Sequence, residues 1–91
     1  MKNLTIDRHC IRLEVEGDVC ERMRKSKHVL GAFMNPERTM TYVLLPLPSV
    51  KSDGDLFIKT AEEKLNIKSV SFEIMPAGTK LVFCPPSNSS N

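Results

Sequence analysis

Apolar and charged residues alternate along the first part of the chain, between Leu4 and Glu16. The apolar positions are Ile11, Leu13 and Val15, and the charged positions beside them are Arg12, Glu14 and Glu16. A period of two places alternate side chains on opposite faces of a strand. We therefore predict a half-buried strand that Gly17 ends, with Leu4 and Ile6 either beginning it or forming a separate arm.

The apolar spacing becomes helical between residues 18 and 34. The apolar positions on one predicted face are Val19, Met23, Leu30 and Met34, flanked by Val29 and Phe33. Asp18 and Glu21 have the spacing of a capping box, and Pro36 disfavours helical geometry at Asn35. These signals predict a helix over residues 19–34 whose opposite face is strongly basic.

The middle of the chain predicts a strand and then a second helix. Residues 39–45 are rich in β-forming residues without polar alternation, which is typical of an interior strand, and Pro46 ends it. A helix is predicted from about 55 to 66. The alternative interpretation makes residues 56–59 a short strand, followed by a helix that Thr60 caps.

The last segment alternates again. The apolar positions are Val70, Phe72 and Ile74, and the polar positions are Ser69, Ser71 and Glu73. Residues 75–79 predict a turn in which Gly78 supplies a positive φ, and residues 80–84 return as the second strand of a hairpin. We predict that residues 87–91 form a flexible polar tail.

The predicted order is β-α-β-α-β-β in one compact domain, residues 1–86. Two helical crossovers favour parallel neighbours, and the closing hairpin adds an antiparallel pair. We expect an α+β or α/β two-layer sandwich, with two helices packed on one face of a four-stranded mixed sheet. The expected core residues are Val19, Met23, Leu30, Phe33, Leu44, Leu65, Phe72, Ile74 and Leu81.

Composition narrows the class of protein. The chain has 91 residues, 41% of them hydrophobic, and a net charge of +2, which suits one small domain without demanding a polyanionic partner. Its three cysteines are too widely spaced for a disulfide framework or a CxxC metal knuckle. We find no signal-peptide hydrophobic region and no apolar run of roughly 20 residues. We therefore expect a soluble, cytoplasmic, reduced protein with no membrane partner.

Two surfaces are candidates for binding a macromolecule. The first is the basic face of the predicted helix, with candidate contacts Arg22, Arg24, Lys25, Lys27 and His28. These residues could neutralise phosphates, although no aromatic residues accompany them to stack on bases. The alternatives are a face that binds protein or one that is only solvated.

The second surface is the wetter face of the predicted sheet. Its candidate contacts are Arg12, Glu14, Ser71 and Glu73. It lacks the aromatic pair of an RNA-recognition sheet, and its mixed charges and hydroxyls suit a protein partner or self-association. A plain solvated sheet face is the alternative.

No constellation predicts catalysis, a metal or a cofactor. His9 and Cys10 are adjacent, so on a strand they point to opposite faces and cannot form a catalytic pair. Asp53 and Asp55 lack the spacing and closing glutamate of a calcium loop. We expect a small non-enzymatic accessory or regulatory protein that binds a protein, or a second copy of itself, through a sheet face or edge. The alternative is a nucleic-acid-binding regulator that uses the basic helix 19–34.

Overall fold

The computed structural model describes residues 2–47 and 54–84. The helices and strands are β1 (Lys2–Thr5), β2 (Cys10–Glu16), α1 (Cys20–Arg24), β3 (Gly31–Met34), β4 (Met40–Pro46), α2 (Gly54–Leu65), β5 (Ser69–Met75) and β6 (Lys80–Phe83). The predicted tail, residues 87–91, lies outside the described residues. So does Asp53, and the side chain of Asp55 is likewise not described.

The described strands form two sheets. A four-stranded sheet has the order β3-β4-β2-β5, and β1 pairs with β6 in a separate two-stranded sheet. The predicted class, an α+β fold with a four-stranded sheet and two helices, is confirmed. The predicted parallel pairs are wrong in detail, because all the described ladders are antiparallel. A parallel connection needs a crossover of a dozen or more residues, and the five-residue α1 is followed by a further strand instead.

The predicted helix over residues 19–34 is wrong beyond Arg24. Residues 31–34 form β3, in which buried Ala32 and Met34 alternate with half-buried Gly31 and Phe33 against β4. Gly31 weakens a helix interior at this point, and the hydrogen-bonded pairing with β4 stabilises the strand instead. The predicted capping box is also absent.

Instead of capping Glu21, the Asp18 carboxylate accepts a hydrogen bond from the amide of Cys20 at 3.1 Å. The amide of Val19 donates to Oγ1 of Thr41 on β4 at 2.9 Å. The start of α1 is thus held by a tertiary contact with the sheet, which local sequence spacing does not reveal.

Both faces of the sheet are partly covered. On the first, which we call the helical face, Ile11, Leu13 and Val43 pack in one cluster with residues of both helices. The helices contribute Cys20 and Met23 from α1 and Ile58, Ala61 and Leu65 from α2. On the opposite face, Cys10 and Leu44 pack with Leu81 and Phe83 of β6, so the small sheet covers one part of that face.

The predicted hairpin between the last two strands is wrong in its pairing. Gly78 does adopt a positive φ of 94°, but the turn sends β6 to β1 rather than back along β5. The amide of Gly78 donates to the carbonyl of Ile6 at 2.7 Å, which fixes the new direction. Directly after β6 the chain reaches the far edge of the larger sheet, where the amide of Cys84 donates to the carbonyl of Met34 at 3.0 Å.

Of the nine residues expected in the core, four are buried, two are partly buried and three are exposed. Met23, Leu44, Leu65 and Leu81 are buried, and Val19 and Phe33 pack against the two clusters while remaining partly exposed. Leu30, Phe72 and Ile74 are exposed, so their assignment to the core is wrong. Phe72 and Ile74 lie on an edge strand, whereas the buried residues of α2 pack in the cluster above the central strands.

The side chain of Asn35 stabilises the hairpin that joins β3 to β4. Its buried Oδ1 accepts hydrogen bonds from the amides of Thr39 and Met40 at 2.8 and 2.9 Å, and its Nδ2 donates to Oγ1 of Thr39. We expect Asn35→Ala to lower the free energy of unfolding by about 1–3 kcal/mol, because the amides of Thr39 and Met40 lose their buried acceptor. Urea denaturation would measure the loss. The matched control is Asn3→Ala at an exposed position, and equal stability of the two variants would contradict this role.

Candidate functional site

The strand β5 forms an open edge of the larger sheet. It pairs with β2 on one side, and among residues 2–47 and 54–84 no strand lies on its other side. The other edge of the sheet, β3, is partly occupied by the bridge between Met34 and Cys84. An edge strand presents unpaired main-chain N–H and C=O groups, so β5 is a template on which a further strand can pair.

Apolar side chains stand exposed along this open edge. Val70 is 58% exposed, Phe72 43% and Ile74 50%. Phe72 lies opposite Leu13 and Ile74 opposite Ile11 on β2, so both point to the helical face. Since these side chains keep about half of their surface exposed, the edge carries a row of apolar side chains, which we call the β5 row (Val70, Phe72 and Ile74). Grouped exposed apolar residues of this kind mark interaction surfaces more often than single ones do.

The beginning of β5 is irregular. The pairing register shifts between Glu14 and Val15, where Ser71 faces Glu14 but Ser69 faces Val15. Val70 is therefore an extra residue in the ladder, as in a β-bulge. Bulges bend and twist an edge strand, so the regular part of the edge runs from Ser71 to Met75.

On the opposite face of the sheet, an ionic network holds β5 to β2. Nη2 of Arg12 lies 2.9 Å from a carboxylate oxygen of Glu14 and 3.6 Å from one of Glu73. The guanidinium also lies 4.5 Å from the centroid of the Tyr42 ring. The side chain of Arg12 is only 17% exposed, and burial raises the pKa of the Tyr42 hydroxyl. The charges are therefore partly desolvated, which strengthens their interaction.

The structure thus brings together the predicted sheet-face residues. Arg12, Glu14 and Glu73 form one network, and Ser71 lies directly opposite Glu14 in the ladder. Glu73 keeps 60% of its side-chain surface exposed, so it is also accessible to a binding partner. Whether a partner contacts these residues stays a prediction.

A second link ties β5 to the end of α2. Oε2 of Glu62 accepts hydrogen bonds from the amide and the hydroxyl of Ser69 at 2.7 and 2.8 Å. These bonds hold the pKa of the Glu62 carboxyl below its usual range. Together with the Arg12 network, this contact fixes the position of the edge strand.

The predicted basic residues do not form one helical face. Arg24 donates to the carbonyl of Ala32 through Nε at 3.1 Å and Nη2 at 2.7 Å, and Arg22 donates to the carbonyl of Asn66 at 3.3 Å. Both arginines thus have donors committed to the backbone of their own chain. Lys25, Lys27 and His28 are exposed in and after the turn that ends α1.

A groove of about 350 Å³ lies beside these exposed basic residues. Lys27 and His28 line it on one side and Lys64 of α2 on another, with Phe57 and Leu45 among its apolar residues. Sequence reasoning did not include Lys64, because it lies on a separate helix and no local pattern connects it with residues 27–28. The tertiary fold therefore replaces the predicted basic helix with a smaller basic cluster.

The described residues show little that resembles an active site or a metal centre. Cys10, Cys20 and Cys84 are buried, and burial raises the pKa of the Cys10 and Cys20 thiols, which disfavours the nucleophilic thiolate. Within residues 2–47 and 54–84, no three His, Cys, Asp or Glu residues are grouped so that they could hold a metal ion. In the same part of the chain, no helix has the length and apolar character needed to cross a membrane.

Comparison of the chain with protein-family models, with curated proteins and with solved structures finds no match. The evidence for β5 as a candidate site therefore comes only from the geometry of this chain. Sequence reasoning identified the residues of the β5 row as one face of a strand but assigned Phe72 and Ile74 to the core. Alternation shows which side chains share a face, but it carries no signal of whether another element covers that face.

The hydrogen bonds between Glu62 and Ser69 should make the stability of the protein depend on pH. A carboxyl whose folded pKa is lowered stabilises the protein above its ordinary pKa, and this contribution is lost as the pH falls through the folded value. We therefore expect the stability difference between the wild type and Glu62→Gln to be full near neutral pH and to shrink in the acidic range below the ordinary glutamate pKa. Urea midpoints across this range would test it. The adjacent Glu63→Gln is the control, and a difference that stays constant with pH would contradict the assignment.

Proposed function

We propose that this protein is a non-enzymatic accessory or regulatory protein that binds another protein by accepting a strand at β5. The observation that carries the proposal is the coincidence of an open sheet edge with an exposed apolar row on the same strand. Strand addition uses two features: main-chain hydrogen bonds supply affinity, and alternate side chains supply specificity. The β5 edge offers both.

The geometry of the β5 edge indicates which kind of partner segment would complement it. It is extended, and its apolar side chains recur at every second residue so that they cover Phe72 and Ile74 on the helical face. Burying an apolar side chain completely stabilises by roughly 1.5–3 kcal/mol, so covering the exposed half of each contributes on the order of 1 kcal/mol. On the opposite face, the partly exposed Glu73 favours a basic or hydroxyl side chain across the new ladder.

The position of β5 also suits this role physically. The Arg12 network and the Glu62 contact hold the strand in place before any partner arrives. A strand that is already ordered loses less conformational entropy on binding than a segment that must fold first. The edge is therefore preorganised for a partner.

A peptide selection tests the proposal. We expect a random peptide library displayed on phage to yield peptides with apolar residues at every second position that bind the wild-type protein. Phe72→Glu should weaken their binding at least tenfold, because it places a charge in the apolar contact. Leu56→Glu is the matched control, since Leu56 is an apolar residue that is 63% exposed and belongs to α2 rather than to β5. Peptides that bind both variants equally would contradict strand addition at β5.

A second candidate function is binding of nucleic acid by the basic cluster. The observation that favours it is the convergence of Lys27, His28 and Lys64 around one groove, with Lys25 exposed nearby. Each neutralised phosphate would release counterions and make the affinity depend on salt. The small net charge of the chain and the arginine donors committed to the backbone make it the weaker proposal.

Fluorescence anisotropy with labelled single- and double-stranded oligonucleotides tests this second function. We expect binding at low salt that weakens steeply as salt is added and is lost in the Lys27→Glu, Lys64→Glu double variant. The Lys68→Glu, Lys80→Glu double variant is the control for net charge, because both lysines are exposed and neither lines the groove. An absence of binding at low salt, or an equal loss in the control, would contradict a role for the cluster.

A further inference from the structure

We propose that the strand accepted at β5 is the β5 of a second copy of this chain, paired antiparallel about a two-fold axis at Phe72. This inference rests on the proposed function and specifies its partner. In a two-fold interface the same patch meets itself, so the surface must be self-complementary. The sequence of β5, SVSFEIM, has this property at one register.

In the register centred on Phe72, each exposed side chain meets a suitable neighbour. Phe72 lies opposite its own symmetry mate, Val70 opposite Ile74, and Ser71 opposite Glu73. The Phe72 pair joins apolar side chains on the helical face, and the Val70–Ile74 pairs bring apolar residues together at the two ends of the ladder, where the bulge lies. The Ser71–Glu73 pairs place a hydroxyl donor opposite a carboxylate on the other face. No like charges face each other within the strand.

The neighbouring registers are less favourable. Shifting the axis to Glu73 places that carboxylate directly opposite its symmetry mate, which is destabilising. Shifting it to Ser71 places Ile74 opposite Lys68 and Ser69 opposite Glu73, so one apolar side chain loses its apolar neighbour. A strand whose buried face is defined this way has a strongly specified register.

The second copy would also cover what the first leaves exposed. Phe72 and Ile74 of both copies lie on the helical face, where pairing brings the two β5 rows side by side. The two four-stranded sheets then become one continuous sheet with β5 strands at its centre. In the interior of such a sheet these apolar side chains would be covered. This agrees with their apolar character, from which the sequence predicts that they belong to the core.

The other edge of the sheet favours a closed dimer over an open chain of molecules. Cys84 donates to the carbonyl of Met34, so β3 is partly occupied and does not offer an edge equivalent to β5. A contact that uses the same edge twice closes at two copies, whereas a head-to-tail contact can continue into a filament. The bulge at Val70 limits the regular ladder at its ends, so we expect a reversible dimer.

Sedimentation equilibrium over a range of protein concentrations tests the assembly. We expect the wild type to show a monomer–dimer equilibrium, with the dissociation constant raised at least tenfold in Phe72→Glu and unchanged in Leu56→Glu. A monomer at all concentrations would overturn the second copy as partner. If β5 still selected alternating peptides in that case, the proposed function would stand, with a different protein as its partner. A dimer equally stable in both variants would also overturn the inference.

Disulfide trapping tests the register independently of stability. Ser71 and Glu73 face each other across the proposed axis, so an S71C protein mixed with an E73C protein should form a disulfide-linked pair under mild oxidation. Each variant oxidised alone should form little dimer, because its new cysteines are not directly opposite. The native cysteines are buried, and peptide mapping by mass spectrometry would confirm which residues are linked. Linkage in S71C alone at the level of the mixture would overturn the Phe72-centred register.

Discussion

The strand β2 pairs with β4 on one side and with β5 on the other, and side chains from both of its faces are buried. Ile11 and Leu13 are fully buried under the helices, while Cys10 packs with residues of the small sheet. Placing β2 in the centre leaves β5 at an edge. The two helices contribute their buried side chains to the cluster that contains Ile11 and Leu13, which leaves the β5 row exposed.

The exposed edge is nevertheless well supported. The Arg12 network joins β5 to the central strand, and the Glu62 contact joins its start to the end of α2. Natural sheets commonly protect open edges with bulges and charges because such edges attract other strands. Here the bulge at Val70 and the charge of Glu73 interrupt the edge without removing the apolar row, and in the proposed dimer they would favour one register over others.

The basic residues illustrate how tertiary contacts change the meaning of a charge pattern. As a helix face, residues 22–28 would present a continuous positive stripe. In the fold, the guanidinium of Arg24 donates to the carbonyl of Ala32, while Lys27 and His28, after the end of α1, line one groove with Lys64 of α2. The exposed basic residues around the groove are therefore ones that no local periodicity in the sequence groups together.

The sequence by itself determined the elements with strong periodicity: the alternating β2, the apolar β4, the helix α2 and the alternating β5 were all predictable, because side-chain period follows from backbone geometry. The fold class followed from their order. Only the tertiary structure decided that residues 31–34 form a strand and that β6 leaves β5 for β1, since both depend on pairing with distant strands. It also decided that Phe72 and Ile74 lie at an edge. Periodicity identifies a face, but burial of that face depends on elements far along the chain.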